Sequence, residues 1–466
     1  MDTTFDVIVI GAGPAGENAG DRVVQAGLTV AIVEKELVGG ECSYWGCMPS
    51  KALLRPGDAL AELLRVPGAR EAVTGQIDVD QALARRDALS GDMDDAGQVE
   101  WVESAGMTLV RGHGRLSGPK TVAVTADDGR LTTLTAAKAV VIAVGTGAAV
   151  PPIEGLRDIR TWDNRDVTQA KQVPGRLIVL GGGVIGVEMA QAWKWLGSAE
   201  VTVVEMVDRL IAREEPFASE ELQTGLESMG ITVMTGAKLV KAQRQADDAP
   251  VTVTLDDGTE LVADELLVAV GRRPLTDDLG LDTVGLEPGG FIDVDDTLLA
   301  AGVEGQWLYV IGDANGRALL THQGKYQARI AGDHIAGKDV GRGAWADHSA
   351  VPRVVFTDPQ VAAVGLTQAE AEEQGFTVRT VRHPTGGTAG AAARGEGIEG
   401  TSQLVIDADR RVILGATFVG PGVGEMLHAA TIAIVGQVTL DQLWHAVPSF
   451  PTMSEMWLRF LEEYGL

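Results

Sequence analysis

The apolar pattern changes period twice within the first 35 residues. Phe5 to Ile10, FDVIVI, is a short, β-branched and largely apolar run, as expected of a strand covered on both faces. It leads into Gly11-Ala-Gly-Pro-Ala-Gly16, then a helical stretch to about Ala26, then a second apolar run from Thr29 to Val33 that stops at Glu34. The layout returns about 170 residues later. Arg176 to Leu180 is the strand, Gly181-Gly-Gly-Val-Ile-Gly186 the turn, and the helical stretch ends near Gly197. Val201 to Val204 is then the next strand, stopping at Glu205. A further echo, VIAVGTGAAVPP against LLVAVGRRPL, supports an internal duplication. The period is too long for a solenoid and predicts two related nucleotide-binding domains. Val150-Pro-Pro152 and Gly271 to Pro274 mark boundaries, and from about Ala346 the pattern becomes strand-rich with late helices.

Composition narrows the function. Lys plus Arg number 38 and Asp plus Glu 65, a net charge of −27 that argues against nucleic acid or an anionic membrane as partner. Only two cysteines are present, Cys42 and Cys47, which excludes a disulfide scaffold and a multi-Cys zinc site. No metal site is expected. No basic region followed by a long apolar stretch opens the sequence and no run is long enough to span a bilayer, so a cytoplasmic protein is expected.

Each glycine motif follows a strand, precedes a helix and carries an acidic residue at the proper distance. Glycines let the backbone approach a pyrophosphate, and the helix start supplies N–H donors and a positive dipole end. Glu34 and Glu205 are placed to accept from a ribose 2′-hydroxyl, and a carboxylate at Glu205 favours NADH over NADPH, although Arg209 is nearby.

The strongest signal is GGECSYWGCMPSK, residues 39–51, before the helix-like KALLRPGDALAELL. Five residues of regular helix rise about 7.5 Å. Bridged Cα atoms stay within about 7 Å. A Cys42–Cys47 bridge therefore needs a distorted first turn of the helix and should be strained and easily reduced, as suits a redox pair. A helix start is expected to lower the thiol pKa values.

With these motifs, and with IGDANG and VVFTDPQVAAVG, the chain resembles the class I pyridine nucleotide–disulfide oxidoreductases along essentially its whole length. That family includes dihydrolipoamide dehydrogenase, glutathione reductase and mercuric reductase. The resemblance implies an α/β fold: two Rossmann-like dinucleotide-binding domains plus a C-terminal α+β dimerisation domain. The corresponding divisions are 1–150 (FAD, first part), 151–274 (NAD(P)H), 275–345 (completing the FAD site) and 346–466 (the homodimer interface). It implies FAD at Gly11, Gly13, Gly16, Glu34, Lys51, Gly114, Asp313, Leu320 and His322. NADH, rather than NADPH, belongs at Gly181, Gly183, Gly186, Glu188, Glu205 and Gly271. Cys47 becomes the flavin-facing thiol, Cys42 the outer interchange thiol, and Lys51 with Glu188 the pair beside the flavin's reactive nitrogen. Thr321 is expected to cap a helix aimed at the flavin pyrimidine.

One departure matters. Where the family has His-x-His-Pro-Thr-x-Ser-Glu, this chain reads Pro448-Ser-Phe-Pro-Thr-Met-Ser-Glu455. Phe450 stands where the catalytic histidine belongs, and Glu455, its orienting partner, is kept as a candidate catalytic residue along with Cys42, Cys47, Lys51 and Glu188. His445 is a distant candidate base. The expected activity is NADH-dependent, flavin-mediated reduction of a small disulfide. The alternative acceptor is a quinone or dye, and a non-catalytic flavoprotein is the third reading.

Overall fold

In the computed structural model, which describes residues 3–466, the chain divides into two compact units. The first comprises the residues up to Pro49, Asp87–Ala148 and Arg272–Asp347; the second comprises Ser50–Arg86, Ala149–Gly271 and His348–Leu466.

The first unit is built on a seven-stranded sheet. Strands Thr108–Arg111, Val30–Glu34, Thr4–Ile10 and Leu131–Ile142 lie side by side in parallel, and Leu308–Val310 also pairs with the last of these. Thr121–Thr125 and His113–Leu116 extend it in antiparallel fashion. The first strand lacks a clean alternation because both faces are covered. Val7 and Val9 pack with Ala19, Val23, Ala328 and Ala331 on one side. Ile8 and Ile10 pack with Val122, Leu134 and Leu308 on the other. Helix Pro14–Gln25 makes the parallel crossover to Val30–Glu34, and helix Thr321–Ile335 lies against it.

The second unit holds a four-stranded parallel sheet in the order Ile231–Met234, Glu200–Val204, Arg176–Leu180, Glu265–Val268. Helix Val184–Trp195 crosses over it and buries Val187, Ala190 and Trp193 against Leu177, Val179 and Val203. A three-stranded antiparallel sheet, Leu239–Arg244, Val251–Leu255 and Glu260–Ala263, stands apart. The C-terminal part is a five-stranded antiparallel sheet running from Arg353–Val355 to Val378–Pro384, with helices Leu427–Val435 and Met456–Tyr464. This is the α/β class with Rossmann-type sheets and a distinct C-terminal α+β domain that the sequence predicts.

The helix predicted from Lys51 onward starts earlier, at Cys47, and runs to Leu64 through Pro56. Gly57 follows the proline because the Trp195 indole lies on that spot: a Cβ there would come within 2.0 Å of the ring. Among the described residues, no helix is long and apolar enough to cross a membrane.

Candidate functional site

The first glycine turn is a cradle that side chains would fill. Gly11 has φ +102°, and a Cβ on it would lie 2.5 Å from the Ala143 carbonyl oxygen. A Cβ on Gly16 would lie 1.9 Å from the carbonyl oxygen of Gly11. Gly13 is the residue before helix Pro14–Gln25, and no side chain caps that helix. Its first N–H groups therefore remain for an anion, which the helix dipole also favours. Glu34 is oriented by two backbone donors: Ala12 N–H to Oε2 at 2.7 Å and Glu36 N–H to Oε1 at 2.7 Å. Bare donors, missing side chains and an aimed carboxylate together fit the pyrophosphate and ribose of FAD.

The second turn repeats this arrangement. Gly181 has φ +109° with the Ala269 oxygen 2.5 Å from its would-be Cβ, and Gly186 would clash with the Gly181 oxygen at 1.9 Å. Glu205 accepts from Gly182 N–H at 2.5 Å and Val207 N–H at 2.9 Å. Gly183 precedes helix Val184–Trp195 without a side-chain cap. The residues fit NAD(H) for the same reasons. Arg209 gives its guanidinium to the Glu214 and Ala212 carbonyls, at 2.9 and 2.6 Å.

The sequence predicts a distorted first turn of one helix; the structure instead divides the segment into two helices between the cysteines. Cys42 lies in the short helix Gly40–Tyr44, Cys47 opens the next helix, and Trp45 and Gly46 form the elbow. A Cβ on Gly46 would sit 3.1 Å from the Glu41 carbonyl oxygen, tighter than an ordinary contact, so a glycine suits the point where the chain turns back over the first helix. The two sulfurs are not bridged. The Cys47 sulfur lies 3.4 Å from the Thr321 hydroxyl. The expected lowering of both thiol pKa values fails at Cys42. Its hydrogen bond with Cys47, together with burial, pushes this thiol up. Cys42 sits inside its short helix, not at the start of the long one.

Thr321 also corrects an expectation. It does not cap its helix: Leu320 holds the cap position, no side chain caps, and Thr321 is the first helical residue, its hydroxyl turned to the thiol. His322 is exposed on the next position. Asp313, in the first unit, accepts from the Thr146 hydroxyl at 2.6 Å, and burial raises its carboxyl above the usual range. Arg272 donates to the Thr146 hydroxyl and carbonyl, both at 2.6 Å. In the second unit, Lys51 Nζ meets Glu188 Oε2 at 2.7 Å, and Glu188 Oε1 accepts from Phe356 N–H at 3.0 Å. Glu188 is almost fully buried, so its charge is held by this lysine and this amide.

Gly114 is buried in strand His113–Leu116, where a Cβ would press on Val33 and Ile10 at 3.0 and 3.2 Å. Gly271 has φ +145° with open space around it. Glu455 is buried, and its Oε1 accepts from Gly390 N–H at 3.0 Å and Thr452 N–H at 3.2 Å, closing a capping box. Phe450, by contrast, is 76% exposed and Val447 86%.

Residues 5–329 match the pyridine nucleotide-disulphide oxidoreductase family, and residues 351–459 match its dimerisation domain. The chain belongs to this family. Relatives span it end to end. Dihydrolipoyl dehydrogenase of Thermus scotoductus is 34% identical over 97% of this chain and 95% of its own length. Mercuric reductase of Staphylococcus aureus is 30% identical over 97% of this chain and 81% of its own. Among solved structures, LpdA from Mycobacterium tuberculosis aligns over 100% of both chains with TM-score 0.85 and 25% identity. The flavoprotein disulfide reductase RclA from Escherichia coli, at 24% identity and TM-score 0.85 over 99% of both chains, shares the fold.

As a pyridine nucleotide-disulphide oxidoreductase, the chain is a flavin- and NAD(P)H-dependent enzyme with a redox-active Cys42/Cys47 pair. Its cofactors are FAD and NAD(H), and the dimerisation domain makes it a homodimer. Reasoning from sequence missed Thr146 and Arg272, which join Asp313 in one hydrogen-bonded group, and the burial of Glu17. The first two sit in the duplicated VGTG and VGRRP segments, whose antiparallel pairing, Thr146–Ala148 with Arg272–Pro274, brings them together.

Proposed function

We propose that this enzyme passes reducing equivalents from NADH to a small disulfide of the dihydrolipoyl type. The observation that carries the reading is the cysteine pair itself: Cys42 and Cys47 on either side of a helix elbow, with the Thr321 hydroxyl 3.4 Å from the second sulfur. FAD, when bound, supplies the two-electron carrier between nicotinamide and disulfide. The net half-reaction is NADH plus the Cys42–Cys47 disulfide giving NAD⁺, one thiol and one thiolate.

The chain's own residues do the rest. The Gly11, Gly13 and Gly16 turn and Glu34 hold the dinucleotide end of FAD, and Asp313 with Thr146 presents a polar contact to its ribitol. Leu320 and His322 flank a helix start that favours negative charge at the pyrimidine end. Gly181, Gly183, Gly186 and Glu205 hold NADH. Lys51 brings a positive charge to the reacting end, and the buried Glu188 keeps that ammonium in place. Cys47 faces the flavin, and Cys42 exchanges with substrate. NADH is preferred because Glu205 repels a 2′-phosphate while Arg209 is already engaged with two carbonyls. We place the enzyme in the cytoplasm, because two cysteines alone cannot build the disulfide scaffold of a small secreted domain.

A quinone or dye is the second reading, favoured by Phe450. A phenyl ring takes no proton, and a general base typically contributes about 10²–10⁴-fold. The deciding experiment is an anaerobic NADH titration of the purified holoenzyme, then turnover with panels of disulfides and quinones. Cys42→Ser should lower disulfide turnover by roughly 10³-fold or more while quinone turnover persists. Equal loss with both acceptors would overturn the assignment of Cys42. Phe450→His should raise turnover of a lipoyl disulfide by about 10²-fold if only the base is missing.

A further inference from the structure

Phe356 meets both members of the Lys51–Glu188 pair. Lys51 Nζ lies 4.7 Å from the centroid of the Phe356 ring and 2.7 Å from Glu188 Oε2. The Phe356 backbone N–H donates to the other carboxylate oxygen of Glu188 at 3.0 Å. A cation within about 6 Å of an aromatic face is attracted by the quadrupole of the ring, so the ring is a second anchor for the ammonium. That anchor matters because a lysine is a point charge on a flexible stem. One carboxylate oxygen fixes its distance and leaves the ammonium free to swing; a ring within reach as well restricts that swing.

The segment around Phe356 is built to be held still. Strand Arg353–Val355 ends just before it, and Val355 packs in one core with Leu53, Leu54 and Val187 from the helices that carry Lys51 and Glu188. Phe356 itself is 38% exposed and adds little to that core. Glu188 and Gln191, one turn apart on helix Val184–Trp195, are 2% and 0% exposed. Buried polar side chains need partners. Both accept from alternate amides of this segment: Glu188 from Phe356 N–H, and Gln191 Oε1 from Asp358 N–H at 2.8 Å. The Thr357 hydroxyl donates to the Pro359 carbonyl at 2.8 Å, and Arg65 grips both carboxylate oxygens of Asp358, at 2.7 and 2.5 Å. The backbone of Phe356 is therefore fixed by contacts that do not involve Lys51.

We propose that Phe356 is a positioning residue for Lys51: its ring and its amide together set where the ammonium stands, and with that how strongly the charge favours reduced flavin. The proposal rests on the reading that Lys51 stands at the reacting end of FAD, and Phe356 acts only through Lys51 in this role. One residue carries both contacts. Any movement of Phe356 shifts the ring beneath the ammonium and the amide on the carboxylate together, so the positive charge and its counter-charge keep their separation. A charge held in this way costs no reorganisation when negative charge develops beside it.

The test is the midpoint potential of the bound flavin, read from its absorbance in an anaerobic, dye-mediated titration of the holoenzyme. Phe356→Leu keeps the amide and an apolar side chain but removes the aromatic face. It should lower the equilibrium constant for flavin reduction about three- to ten-fold, a shift of roughly 14–30 mV to lower potential. Phe356→Tyr keeps the face and should restore the wild-type value. Lys51→Met should lower the potential further than Phe356→Leu does, and adding Phe356→Leu to it should change nothing more. If Phe356→Leu fails to retain flavin, Phe356→Met takes its place with the same expectation. An unshifted Phe356→Leu, a Phe356→Tyr enzyme that behaves like Phe356→Leu, or a Phe356→Leu effect that persists undiminished in Lys51→Met overturns the proposal. A Lys51→Met enzyme with the wild-type potential overturns the reading that places Lys51 beside the flavin, and this proposal with it.

Discussion

The glycine turns at Gly11 and Gly181 are near copies in geometry and unlike in what surrounds them. Both have a left-handed first glycine under a carbonyl, a third glycine on the oxygen of the first, and a glutamate drawn in by two amides. These repeated parts are the ones a pyrophosphate and a ribose need. The differences lie just beyond. After the third glycine, the first helix continues with Glu17 and Asn18, the second with Val187 and Glu188. Gly13 faces Gly40 of the cysteine-bearing helix, whereas a Cβ on Gly183 would meet open space. On the proposed assignment, the repeated positions are those that hold a dinucleotide, and the positions that differ lie toward the cysteine pair in one copy and toward Lys51 in the other.

The sharpest way to break this comparison is to fill the two turns in turn. Gly16→Ala should strip FAD, with flavin content per chain falling about ten-fold or more, since overpacking here costs about 1–3 kcal/mol or more. Gly186→Ala should keep the flavin but lower kcat/KM for NADH by about ten- to hundred-fold. A colourless Gly186→Ala protein would show that the turns do not act separately.

A smaller effect tests the divergence at Glu17. Its folded pKa, about 7, lies above its ordinary 4.5, so the folded chain binds the extra proton between those values. Its contribution to stability is full below about pH 4.5 and is lost as pH rises through 7, by about 3 kcal/mol at most. Glu17→Gln should therefore be more stable than wild type at pH 8, relative to their difference at pH 5, in denaturant midpoints. A difference that does not change with pH would sink this account.

The smallest effect concerns the pair of glutamates. Glu205→Gln should lower the preference for NADH over NADPH by about ten-fold, or ~1.4 kcal/mol. Glu34→Gln should weaken FAD retention and leave that preference alone. A shift in nucleotide preference from Glu34→Gln would mean the two carboxylates are not divided as proposed.

Much of this organisation was legible beforehand. Strand, turn, helix and acidic stop follow from local periodicity, and Phe5–Ile10 and Arg176–Leu180 fall within a residue of their strands. That a regular helix cannot bring the two cysteines within bridging distance was legible from the rise per residue, but the division into two helices was not. What depends on distant chain was not. Glu17 reads as an ordinary surface charge beside Asn18 and Asp21, and only the folding of the rest of the chain around it buries it. Thr321 reads as a cap because a threonine at a helix start usually is one; a sulfur 3.4 Å away engages its hydroxyl instead. The Gly390 amide that Glu455 accepts from, 65 residues away in the chain, was likewise out of reach of local reading.

The elbow at Trp45 and Gly46 also bears on how the protein tolerates cycling. Because neither residue belongs to a helix, the sulfurs can approach or part through rotations at this joint, leaving the ladder of the following helix intact. Each catalytic round then asks for a movement of a few atoms at a hinge instead of melting and rebuilding a turn. A bulkier residue at position 46 would stiffen that joint, since its Cβ would press on the Glu41 carbonyl at 3.1 Å.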